Sequence, residues 1–202
     1  MIPEAEAPRV VAYIDGVSML AAVREVFGHR WLAADLHVLA RRICDRQGWR
    51  LAHTRLYVAV PAPEEDPEGY TWWTTRMAEL ELDGVRVLAR AQEMRAISVP
   101  LPGGGTVTRR VALHRGLSVR LALDAIRIQG AGGQDIALFL SQDPELAEVA
   151  DELRAIAEDQ GRELRVASAA PFTTSAPGAR GVPRTEHLRV ERALYESCVS
   201  RR

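Results

Sequence analysis

Two aspartates stand just past runs of apolar and β-branched residues. Asp15 closes Val10-Val11-Ala12-Tyr13-Ile14, and Asp143 lies two residues beyond Ile136-Ala137-Leu138-Phe139-Leu140-Ser141. A continuously apolar strand is buried on both faces of a parallel sheet, and ligands collect outside the carboxyl ends of such strands. Ser18 follows Asp15 by three residues, one helical turn if a helix starts at once, so two oxygens face one crevice. Glu145 follows Asp143 by two. Asp15, Asp143 and Glu145 thus bring three carboxylates from two strand ends, with Ser141 beside them, a donor set for a hard divalent cation such as Mg²⁺. A cation held there lowers the pKa of a bound water and stabilises charge on a phosphodiester.

Each of these residues also has a structural use. Asp143-Pro144-Glu145 is what helix capping alone selects: an N-cap acid, Pro at the first helical position and an acid in the first turn. Asp124 is either a further metal-site acid or the partner of Arg120 or Arg127 at helical spacing. Asp15 is harder to explain as structure, because a carboxylate ending an apolar run is costly to bury without a partner.

Other chemistries fail on the same residues. A haloacid-dehalogenase-type phosphatase needs DxD after the first strand, and position 17 is Val. GxSxG is absent, and His29, His37, His53, His114 and His187 lie in no triad-like context. Gly103-Gly104-Gly105 belongs to neither GxGxxG nor GxxxxGKT. Cys44 and Cys198 form no CxxC or Cys/His cluster, which argues against a zinc site or disulfide framework. Trp72-Trp73 reads as packing rather than as a stacking platform for bases.

The elements that must position the acids alternate. Strand character at 9–15 gives way to a helix over 17–27, a second helix from Leu36 to about 47 stopped by Gly48, and a strand over 51–60. The acidic segment 61–69 reads as a loop, 72–82 as a helix and 85–91 as a strand. Residues 97–111 suggest a hairpin with its tip at Gly103-Gly105, which Pro100 and Pro102 confine to an edge. A helix over 117–128, a strand over 135–141, a helix from Pro144 to Gly161 and a strand over 163–168 follow. The expectation is α/β: a three-layer α/β/α domain over 1–168 with a mostly parallel central sheet. Residues 169–202 form an extension packed on it, a Pro/Ser/Gly-rich loop followed by a short strand and helix.

The chain has 202 residues with 47% hydrophobic and 26% charged, a soluble globular composition that excludes collagenous, disordered and disulfide-scaffold classes. All 26 Lys+Arg positions are Arg, and the net charge is −1. That balance hides segregation: 61–83 hold seven acids against Arg76, whereas 94–123 hold Arg95, Arg109, Arg110, Arg115 and Arg120 with no acid. With Arg180 and Arg184 in the later loop, this side could attract phosphates. An acidic N-terminus, no long apolar run and no disulfide pattern lead to the expectation of a cytoplasmic protein with no membrane association.

The strings VVAYIDGVSML (10–20), HRGLSVRLALDAIR (114–127) and DIALFLSQDPELAEVADELRAIAEDQGRELRVAS (135–168) resemble the NYN domain family, PIN-like nucleases related to the LabA group. The usual family blocks read IDGxN, KGVDVxLALD and SGDxDF or SQDxDL, and the order and spacing agree over most of 9–168. The tail RGVPRTEHLRVERALYESC (180–198) is similar to a segment that follows the domain in one subgroup. The resemblance implies a PIN-like, Rossmannoid fold and RNA cleavage with Mg²⁺ or Mn²⁺ held by an acidic cluster. It carries over to Asp15, Asp143, Asp124 and, with Glu for the usual Asp, Glu145. Ser18 stands where Asn is usual, and Ser118 where the acid of KGVD is usual. The expectation is a metal-dependent endoribonuclease with a weakened site, its RNA held by Arg109, Arg110, Arg115, Arg180 and Arg184. The alternative is a degenerate module that binds nucleic acid, a protein partner or a second copy without cutting.

Overall fold

The structure is a computed structural model that describes residues 7–174 and 181–199. Arg9–Asp15 forms β1, whose side chains alternate between two cores: Val10, Ala12 and Ile14 enter one, Val11 and Tyr13 the other. A strand that is apolar on both faces needs helices on both, and it has them. Gly16–Phe27 (α1), Leu36–Gln47 (α2) and Pro67–Leu82 (α3) pack on the Ile14 side, with Arg192–Glu196 (α6) from the far end of the chain. Leu117–Gly130 (α4) and Leu146–Asp159 (α5) cover the Tyr13 side.

The remaining strands of the sheet are Arg50–Val60 (β2), Arg86–Ala91 (β3), Ile136–Leu140 (β6), Arg165–Phe172 (β7) and Glu186–Glu191 (β8). Glu93–Pro100 (β4) and Thr106–Leu113 (β5) form a ribbon of their own. The order in the six-stranded sheet is β3-β2-β1-β6-β7-β8, and every pairing is parallel. The fold is therefore a doubly wound α/β/α sandwich. From β1 the chain builds outward to β3, then crosses back to β6 and builds the other way to β8. The switch lies between β1 and β6, where the connecting helices leave toward opposite faces and open a crevice above the strands' carboxyl ends.

Three boundaries depart from expectation. Helix α3 begins at Pro67, inside the stretch read as a loop, because the Asp66 side chain accepts the Gly69 N–H at 3.0 Å and Pro67 occupies the first turn. The hairpin is longer than 97–111 and does not extend the sheet; it stands as a mostly exposed arm, with Gly103, Gly104 and Gly105 all at positive φ at its tip. The division at 168/169 falls inside β7, and the extension completes the sheet, with β8 pairing parallel along Ala167–Phe172. Trp73 is buried, edge-on to Trp72 at 4.7 Å, and Trp72 stacks on Trp31, so the tryptophans are packing residues. Among the described residues no helix is long and apolar enough to cross a membrane.

The turn out of β1 depends on a close approach. A Cβ on Gly16 would lie 2.7 Å from Val58 Cγ1 and 3.0 Å from the Tyr57 carbonyl oxygen. Gly16→Ala must push α1 off β2, and we expect a loss of about 1–3 kcal/mol of stability, read as a lower thermal or urea midpoint. An unchanged midpoint would show that α1 is free to shift.

Candidate active site

Strand parity puts Asp15 on the Val11/Tyr13 face and Ser141 on the Ala137/Phe139 face, which are the same side of the sheet. Both residues therefore look toward the start of α4, where Ser118 lies. Asp15 caps α1: its Oδ1 accepts the N–H groups of Val17 and Ser18 at 3.1 and 3.0 Å. Its Oδ2 accepts the Ser141 hydroxyl at 3.2 Å, and Ser141 Oγ in turn accepts the Asp143 N–H at 3.0 Å. Asp143 takes the Glu145 N–H on Oδ1 and the Ser118 hydroxyl on Oδ2, at 3.0 and 3.3 Å. The Ser18 hydroxyl accepts the Gln142 N–H at 2.8 Å, clipping the turn after β1 to the turn after β6. Asp15, Ser18, Ser118, Ser141 and Asp143 thus form one hydrogen-bonded cluster at the switch point.

The other expected acids do not join it. Asp124 is buried one strand away, where Arg55 and Arg120 meet its carboxylate at 3.3 and 3.1 Å and the Tyr57 hydroxyl donates at 3.1 Å. Of its two readings the ion pair at helical spacing is the one realised. Glu145 is exposed at the head of α5 and makes no side-chain cap bond. Among the described residues no group of three or more His, Cys, Asp or Glu side chains could hold a metal ion, so the expected convergence of three acids is corrected to two.

What remains has no basic partner among the described residues. The buried aspartates of the described structure are Asp15, Asp35 and Asp124. Arg76 pairs with Asp35, and Arg55 and Arg120 pair with Asp124. No ion pair among the described residues includes Asp15 or Asp143. Burial pushes the Asp15 carboxyl above its ordinary range, and the nearby Asp143 charge adds to this, while the hydrogen bonds from Ser18, Ser141 and Val17 pull the other way. The donor set is all oxygen, which suits a hard cation and not a soft one.

No protein-family model, curated protein or solved structure matches the chain. The site must therefore be judged on its own geometry.

The expected basic surface is largely spent. Arg110 pairs with Glu65, Arg115 with Glu93, and Arg184 with Glu148 and Asp151. Arg180 lies outside the described residues. Arg109 sits opposite Ile97 and Arg110 opposite Ala96, so these neighbours project from opposite faces of the arm. Arg109 shares its face with Arg95, and neither has an ion-pair partner among the described residues. His114, set aside in the sequence for want of a triad-like context, leads from β5 to α4 and lies near enough to Asp15 to feel its charge. Only its place four residues before Ser118 could have drawn attention to it.

A raised folded pKa means that Asp15 binds its proton more tightly folded than unfolded. Its contribution to stability is then present below the usual value of about 3.9 and lost as pH rises through the higher folded value. Asp15→Asn keeps the cap acceptor and removes the charge. The variant should exceed wild type by on the order of 1 kcal/mol at pH 7, with the gap closing toward pH 4, in paired thermal melts. A variant less stable than wild type at pH 7 would mean that the carboxylate is held by a charge not identified among the described residues.

Proposed function

We propose that the chain is a metal-dependent ribonuclease with a reduced ligand set, in which Asp15 and Asp143 hold a single divalent ion. The observation that carries this reading is the contrast between buried aspartates: Asp35 and Asp124 are neutralised by arginine, whereas Asp15 is buried beside Asp143 with no basic partner among the described residues. Two carboxylates offset the charge of one divalent cation and not two, and the hydroxyls of Ser18, Ser118 and Ser141 are hard donors around them. When bound, Mg²⁺ or Mn²⁺ would supply Lewis-acid activation of water at a phosphodiester. The protein's own part is to keep the carboxylates preorganised: Ser141 orients Asp15, Ser118 orients Asp143, and the Ser18–Gln142 clip holds the two strand ends together. The NYN-like order of the blocks around these residues supports RNA as the substrate.

A second reading has its own observation. Both oxygens of Asp143 already accept hydrogen bonds within the cluster, as in a structural cap, and Ser118 supplies a hydroxyl where a charge would help hold an ion. A module that binds nucleic acid or a protein without cutting would look the same.

Restoring charge separates the two. Ser118→Asp with Ser18→Asn should raise single-turnover RNA cleavage in Mn²⁺ by at least about tenfold, and Asp15→Asn should abolish cleavage in either background. Mn²⁺ should outperform Mg²⁺ in wild type, because it tolerates a poorer ligand set. Identical background cleavage in all three proteins, with RNA still bound, would establish the non-cleaving module.

A further inference from the structure

A second cavity lies against the first turn of α1, at the root of the arm. It encloses about 290 Å³, with Val17 and Leu20 on one wall, Trp31 at the side, and Ala112 and His114 from the end of β5 on the other. It begins one residue past Asp15, since Gly16 is also part of its lining. This volume is at the low end of the ~300–1,000 Å³ typical of small-molecule sites, enough for a planar ring system and too small for a helix or a duplex.

The polar groups in the lining suit a neutral, hydrogen-bonding ligand. His114 Nδ1 is buried and has no hydrogen-bond partner among the described residues. Gln92 Nε2 meets only the sulfur of Met94, at 3.5 Å. The Nδ1 atom is closed off from the cleft, so the Gln92 carboxamide is the under-satisfied group that a ligand there can meet. A carboxamide offers both a donor and an acceptor, the vocabulary with which base edges are read. Burial does lower the His114 pKa from its ordinary value, against the opposing pull of Asp15. The one acid in the lining, Asp66, is matched by its one arginine, Arg24, so the cleft itself offers a phosphate no net attraction, whereas Arg95 and Arg109 on one face of the adjacent arm favour one outside it.

We propose that this cleft is a nucleobase subsite: it takes the base of one unpaired nucleotide flanking the phosphodiester at Asp15, with His114 in its wall and Gln92 reading its edge. The inference rests on the ribonuclease reading and adds a base preference at one position beside the cleaved bond. Apolar walls around a base, with side-chain hydrogen bonds to its edge, are how proteins hold an unstacked nucleotide.

The test compares a short single-stranded oligoribonucleotide with one of the same length built from abasic ribose units, by fluorescence anisotropy on the full chain. Wild type should bind the intact strand roughly tenfold more tightly than the abasic one. Ala21→Leu with Ala112→Leu, both at exposed positions of the lining, should fill the cleft and bring intact-strand affinity down to the abasic level, leaving abasic binding unchanged. His114→Ala should weaken intact-strand binding alone. Equal wild-type affinity for the two strands, or a filled variant that keeps the wild-type difference, overturns the subsite and leaves the ribonuclease reading standing. Failure of wild type to bind either strand overturns both. Photo-cross-linking of a 4-thiouridine strand to wild type gives an independent reading: adducts on Trp31 or His114 support the subsite, and adducts confined to the arm overturn it.

Discussion

Asp15 is 9% exposed at the end of the central strand, and no ion pair among the described residues brings an arginine to its carboxylate. Holding it there sets several physical effects against each other. Cap hydrogen bonds to an ionised group contribute about 1.5–3 kcal/mol each, and the α1 dipole about 0.3–1 kcal/mol. Desolvating the charge costs several kcal/mol. The carboxyl is nonetheless pushed upward, which means that burial outweighs the hydrogen bonds from Val17, Ser18 and Ser141. The other buried capping aspartate, Asp35 at the start of α2, has Arg76 at 3.1 Å, whereas Asp15 has no such partner among the described residues.

The sheet makes the arrangement unavoidable once β1 is central. With β2 on one side and β6 on the other, the ends of β1 and β6 are adjacent, and their helices depart to opposite faces. Parity then turns Asp15 and Ser141 toward the same layer, the layer that contains the starts of α4 and α5. Helix α4 begins at Gly116, which has positive φ and no side chain to cap the helix, so Ser118 in its first turn is free to donate to Asp143 instead. The heads of three helices meet this pair of acids: α1 through the Val17 and Ser18 N–H groups, α5 through the Glu145 N–H and α4 through the Ser118 hydroxyl.

Most of this frame is legible in the sequence because β1 and β6 at the sheet's centre are nearly unbroken apolar runs and α1, α2 and α3 open at the capping acids Asp15, Asp35 and Asp66. Gly28 and Gly48, both left-handed, end α1 and α2 where the periodicity fades. What the sequence hides is long-range. The start of α3 is concealed by acids that look like a loop until Asp66 is seen to cap it. The arm is concealed because alternation in a free ribbon resembles alternation at a sheet edge. The fate of Asp124 turns on Arg55, which is 69 residues away along the chain and close only because β2 pairs with β1. His114 carries no periodic or motif signal, and only the fold brings it beside the turn after Asp15.

Charge segregation along the chain misleads for a related reason. The acid-rich 61–83 and the acid-free 94–123 look like two surfaces, yet Glu65 and Arg110 meet, and Glu93, one residue outside the basic stretch, takes Arg115. Both pairs are solvent-exposed and contribute little to stability, yet each occupies an arginine that would otherwise stand alone. The acids and bases that escape this mutual cancellation are then the informative ones. On the acidic side they include Asp15 and Asp143, where cancellation would fill the crevice with a side chain. On the basic side they include Arg95 and Arg109, on one face of a ribbon whose root borders that crevice. Other charged residues, Arg24, Arg86 and Arg127 among them, also lack an ion-pair partner among the described residues. What sets Asp15 apart is that it is buried as well as unpaired, the condition under which an uncancelled charge costs most.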